Sequence, residues 1–123
     1  MGTTRTFTRR MAGGLALGGL LLAGPALAHH GWGSYDADKT TTVTGTVSKL
    51  AWGSPHVSIW LEHAGRPTEV VLAPPSRMET RGLSPDMVKE GASVSLDAYP
   101  RKDGAAEFRA ERIRVGDKTV ELR

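Results

Sequence analysis

The chain has no cysteine among its 123 residues. Disulfides, iron–sulfur clusters, thiolate zinc sites and thiol nucleophiles are therefore excluded. No apolar run is long enough to span a bilayer: Met11–Ala23 holds 13 residues before Gly24 and Pro25 break it, against about 20 for a transmembrane helix. Gly-x-Ser-x-Gly is missing, and the glycines fall in turns and not in a phosphate loop. The acidic residues are scattered, with no pairing that spacing reveals.

Positive charge is also scarcer than it first looks. The chain carries 16 Lys+Arg and 13 Asp+Glu. Three of the basic residues, Arg5, Arg9 and Arg10, lie in the first 28 positions, which hold no acidic residue. That segment has the order of a secretory signal: a basic start, the apolar run, a break, and small residues at Ala26 and Ala28. Residues 1–28 are thus expected to be cleaved, leaving 95 residues from His29 onward with no stable membrane span. Thr8-Arg9-Arg10-Met11 also fits the start of a twin-arginine signal. Ala12 and Gly13 stand where bulky residues are usual, so the export route stays open. Either route predicts a periplasmic protein. The remaining chain has 13 basic and 13 acidic residues and no basic run. Nucleic-acid binding, which relies on an excess of Lys and Arg against phosphates, is not expected.

Beyond the signal, 95 residues suit one domain with a modest core. His29–Lys39 reads as a Gly-rich polar arm. Residues 40–123 read as a mainly β domain, a small five- to six-stranded OB-like barrel with a short helical insert. Thr40–Trp52, with Val43, Gly45 and Val47 alternating against Thr44, Thr46 and Ser48, and His56–His63 carry the period-2 pattern of strands, and Thr68–Ala73 reads as a third. Val57, Ile59 and Leu61 share one face; His56, Ser58, Trp60 and Glu62 share the other. Gly45 predicts a bulge or tight bend. Ser76–Arg81 predicts a short helix closed by Gly82. Ser84-Pro85-Asp86 predicts one more helical turn, to about Lys89. Ala92–Tyr99, Phe108–Val115 and Thr119–Leu122 complete the strands, with Asp103-Gly104 turning between two of them. Three strands, a helical insert, then two or three strands is the order of an OB-type barrel; an open antiparallel meander with one helix is the alternative.

The chemistry of the chain lies in its histidines. Cleavage after Ala28 gives His29 a free α-amine, and amine plus ring Nδ1 can chelate one metal ion. A second imidazole completes a three-nitrogen site that suits Cu(II). His56, after the Gly53-Ser54-Pro55 turn, is the candidate second imidazole; His30 is the other, and Asp36 is a possible axial oxygen ligand. The metal set is therefore His29, His30 and His56, with copper as the cofactor. The alternative is a polar arm with no ligand, with His56 bonded to backbone and His63 solvated. Trp52 and Trp60 flank the same turn. Exposed together they would form a stacking platform for a small envelope ligand; buried they would close a barrel end. Trp32 is expected to pack the arm near His56. Arg and Glu alternate near the C-terminus as on a solvated strand face.

His29-His30-Gly31-Trp32, Gly45-Thr46-Val47, Trp52-Gly53-Ser54-Pro55-His56 and Tyr99-Pro100-Arg101-Lys102-Asp103-Gly104 occur in this order. The set resembles a family of short exported bacterial proteins, a domain of unknown function. Its pattern is His-His after the signal, a Gly-Thr-Val strand, a Trp-x-Asn-Pro-His turn and a Tyr-x-x-Lys-Asp-Gly turn. Ser54 departs from the usual Asn, and Gly31-Trp32 from Ser-Phe. The resemblance implies an exported, barrel-like domain, brings no established activity, and carries over His29, His30 and His56 as candidates. The expected function is an exported binding protein holding copper as carrier or sensor. The alternative is a metal-free ligand-binding or interaction module; a copper redox enzyme ranks behind both.

Overall fold

The computed structural model describes residues 31–123. Seven strands run in chain order: β1 (Thr41–Thr46), β2 (Lys49–Ala51), β3 (Ser58–His63), β4 (Arg66–Val71), β5 (Ser93–Pro100), β6 (Glu107–Val115) and β7 (Lys118–Glu121). One helix, α1 (Pro75–Thr80), follows β4. The strands form one mixed sheet ordered β1-β5-β6-β4-β3-β2, with β7 added on β6. All pairs are antiparallel except β4–β6, which is parallel. Parallel neighbours need a crossover, and here α1 and β5 supply it.

The expected five- to six-stranded barrel is corrected to a seven-strand sheet that is not closed. The first predicted strand breaks at Val47–Ser48, and its halves serve opposite ends of the sheet. Val47 donates its N–H to Ala92 at 2.8 Å, on the β5 side, while Ser48 donates to Trp60 on β3, also at 2.8 Å. The antiparallel meander is corrected too, by the parallel β4–β6 ladder. Gly45 does not bulge; it sits in continuous register opposite Val94. A Cβ there would lie 3.5 Å from the Glu62 carbonyl and 3.7 Å from Leu61, so the small residue lets β1 lie close across β3. The bulge falls in β6, where Asp97 pairs with Arg112 but Ala98 with Ala110, leaving Glu111 as the extra residue.

The alternation read from β3 holds: Val57, Ile59 and Leu61 are fully buried. They meet Val43, Val70, Leu72, Leu96, Ala110 and Ile113 in one core, which Met78 of α1 and Val88 join. Each such side chain contributes about 1.5–3 kcal/mol of transfer free energy, and without disulfides this core holds the domain. α1 begins one residue before its expected start because Pro75 occupies the first turn, where its missing N–H costs nothing. It ends as predicted at Gly82, whose φ of +89° lets Leu83 donate back to the Met78 carbonyl at 2.9 Å. The second helical turn is shorter than expected, a 3-10 turn over Pro85–Met87.

The described part of the arm is docked. A 3-10 turn at Trp32–Ser34 leads into Tyr35, which is buried and bridges to Arg101. Asp36 donates its N–H to the Pro100 carbonyl at 2.8 Å, and Lys102 donates to that of Ser34 at 3.0 Å.

Candidate functional site

Strand register carries the side chains that face away from the core into rows across the sheet. One row runs Ser58, Val71, Arg109, Tyr99 through β3, β4, β6 and β5. The next runs Lys49, Trp60, Glu69, Glu107 through β2, β3, β4 and β6. The docked arm lies over the end of these rows, so the alternating Glu107, Arg109 and Glu111 do not form a solvated face. Arg109 is only 8 % exposed.

Arg109 is the centre of the cluster. Its guanidinium carbon lies 4.1 Å from the Trp32 ring centroid, and its Nη2 lies 3.3 Å from His56 Nε2. Trp32 also carries the guanidinium of Arg123 at 5.0 Å and meets Tyr99 and Tyr35 edge-on at 5.8 and 6.4 Å. Tyr99 donates its hydroxyl proton to Glu111 at 2.6 Å, and Arg123 donates to the Tyr99 oxygen at 3.1 Å. Tyr35 donates to Glu107, which also faces Arg101 at 3.8 Å.

Both tyrosines are held protonated: burial and then the Glu107 hydrogen bond raise Tyr35, and the Glu111 hydrogen bond and then burial raise Tyr99. Burial lowers Arg109 below the usual guanidinium value, with Arg77 and Arg123 adding to the effect and Tyr35 opposing it. A guanidinium keeps its charge in proteins. The site therefore offers fixed positive charge and an indole 37 % open to solvent, while the tyrosine hydroxyls give their protons to Glu107 and Glu111.

His56 is half-buried beside Arg109, so the structure does bring Trp32 and His56 to one place, through Arg109. His29 and His30 lie outside the described residues. Asp36 turns its carboxylate onto the Asp38 N–H at 3.1 Å and pairs with Lys39 at 3.9 Å. His63, expected to be solvated, is half-buried and meets Phe108 edge-on at 5.2 Å. Among the described residues no three His, Asp or Glu side chains are grouped to hold a metal.

Trp52 and Trp60 part company. Lys49 lies 4.5 Å above the Trp60 ring on the face away from the core, whereas Leu50 and Trp52 pack against the core. No ring contact joins the two indoles among the described residues.

Sequence reasoning missed Arg109, Arg123, Tyr35, Tyr99, Glu107 and Glu111. The one signal for any of them was Tyr99 at the head of the Tyr-x-x-Lys-Asp-Gly turn; Arg109 between two glutamates looks like any exposed strand.

Away from this cluster, Asp97 accepts from Arg114 at 2.6 Å and from Arg112 at 2.7 Å, and these bonds hold its carboxyl below the usual range. Arg112 forks onto Glu121 at 2.6 and 3.1 Å. This network ties β5, β6 and β7 together. Among the described residues no helix is long and apolar enough to cross a membrane.

A comparison with curated proteins gives no match. The family model described as a family of unknown function, DUF6152, matches residues 19–110, a stretch that holds every motif of the resemblance noted in the sequence. The chain belongs to the family of unknown function DUF6152.

Proposed function

We propose that this chain is a small exported binding protein of the periplasm whose site is built where the N-terminal arm docks beside His56. The observation that carries the reading is the sequence of contacts Trp32–Arg109–His56, at 4.1 and 3.3 Å. His29 precedes Trp32 by three residues, a reach of at most about 11 Å. In this reading the docked arm tethers the histidine pair near His56. The strand order, with a parallel β4–β6 pair and a first strand divided between the two ends, supports an OB-like reading of the fold, partly open.

The ligand in this reading is Cu(II), held by the α-amine and ring of His29 and by a second imidazole, that of His56, for which His30 is the alternative. Bound there, the metal would serve as cargo or signal. His56 fits as one nitrogen ligand, and the others must come from the arm, because no three-ligand group exists among the described residues. Calorimetric titration of Cu(II) into protein beginning at His29 tests it. One residue added before His29, or His56→Ala, is expected to weaken binding at least tenfold. Unchanged affinity in both overturns the metal reading.

A second reading, a metal-free ligand-binding or interaction module, is favoured by one contact. Arg109 Nη2 sits 3.3 Å from His56 Nε2, and a cation there opposes a metal on that nitrogen. His56→Ala separates the two: copper affinity falls if His56 is a ligand and stays unchanged if it is not.

A further inference from the structure

We propose that Arg109 and Arg123, over the ring of Trp32, form with Arg77 a binding site for a small oxyanion such as phosphate or a carboxylate. The three come from separate elements. Arg109 is on β6 and stacks on Trp32. Arg123, beyond β7, lies over the same ring and over Tyr99 at 5.9 Å. Arg77, on α1, reaches the carbonyl of Leu122, the residue beside Arg123, at 3.1 Å. Two guanidiniums over one indole concentrate like charge, and Arg77 and Arg123 are both close enough to act on Arg109.

The geometry also suits recognition of an oxyanion. A guanidinium stacked on an aromatic face presents its N–H groups in its own plane, the arrangement that binds two oxygens at once. Arg77 and Arg123 each use Nη1 for their protein partners. Among the described residues their Nη2 groups have no hydrogen-bond partner, and both side chains are exposed. Tyr99, held protonated by Glu111, keeps the ring under Arg123 uncharged. Among the described residues Glu111 bonds to the trio through Arg123 at 3.3 Å, one negative charge against three positive ones. The site needs no copper and no metal at His56.

Titration of the purified exported protein with inorganic phosphate, followed through the arginine Nε–Hε resonances, tests this. The resonances of Arg109 and Arg123 are expected to shift saturably with phosphate and not with chloride at matched ionic strength. Arg77→Ala and Arg123→Ala change exposed side chains, and each is expected to weaken binding at least fivefold. Vesicles separate the sources of the anion. Sedimentation with phosphatidylglycerol but not phosphatidylcholine vesicles, reversed by phosphate, assigns a lipid headgroup; phosphate binding alone assigns a free oxyanion. Equal shifts with chloride, or unchanged affinity in both alanine variants, overturn the proposal.

Discussion

Replacing Trp32 by alanine removes the ring that fastens the arm to the sheet. Four contacts are lost: the guanidiniums of Arg109 and Arg123 at 4.1 and 5.0 Å, and the edges of Tyr99 and Tyr35 at 5.8 and 6.4 Å. A desolvated cation–π contact such as that of Arg109 is worth about 2 kcal/mol, and an exposed one such as that of Arg123 about 0.5 kcal/mol. Each aromatic edge contact adds about 0.5 kcal/mol at the low end. The sum is about 3.5 kcal/mol, and shared partners reduce it to about 3 kcal/mol. For a domain of this size that lowers Tm by roughly 12–24 °C. Urea unfolding of Trp32→Ala and Trp32→Phe is the assay, with phenylalanine expected to restore a third or more of the loss. A Trp32→Ala protein within about 0.5 kcal/mol of the parent would contradict this, because the arm would then be held by Tyr35 and by its backbone bonds to Pro100 and Lys102.

Two further outcomes follow from other parts of the structure. Asp97, lowered first by the Arg114 hydrogen bond and then by that of Arg112, contributes stability that is fully present above its unfolded value of about 3.9. That contribution is lost as pH falls through the lower folded value. Asp97→Asn is expected to flatten the acid limb of a stability–pH profile below about pH 4, and an unchanged limb would contradict the assignment. Gly82→Ala forces a side chain into φ of +89° and to 2.8 Å from the Lys118 amine. The backbone term alone costs about 1–2 kcal/mol, readable as a lower urea midpoint at unchanged m-value.

The parts of the fold that were legible in the sequence rest on local rules. Val57, Ile59 and Leu61 declare their face by alternation alone, and Gly82 declares the end of α1 by its place after the last turn. The broken first strand was only half legible. The apolar residues of Thr40–Trp52 change parity after Val47, to Leu50 and Trp52, but the destination of each half is set by partners far along the chain, Ala92 and Trp60. The β6 bulge shows only as a change of parity, from Phe108 and Ala110 to Ile113 and Val115, across Glu111 and Arg112. At the site, His56 and Trp32 were legible as residue types at a turn and in an arm. Arg109 was not, because burial of a charged strand residue depends on what covers it, and the cover is the arm some 75 residues earlier. Trp52 and Trp60 show the opposite failure: their spacing around a turn suggested one platform, and strand parity sends them to opposite faces.

In the proposed function the docked arm brings the N-terminal histidines to His56. Electron paramagnetic resonance of Cu(II)-loaded protein beginning at His29, compared with its His56→Ala variant, tests this most directly. The account predicts nitrogen couplings from the amine and two imidazoles, with one imidazole lost in the variant. Identical spectra from the two proteins would contradict it.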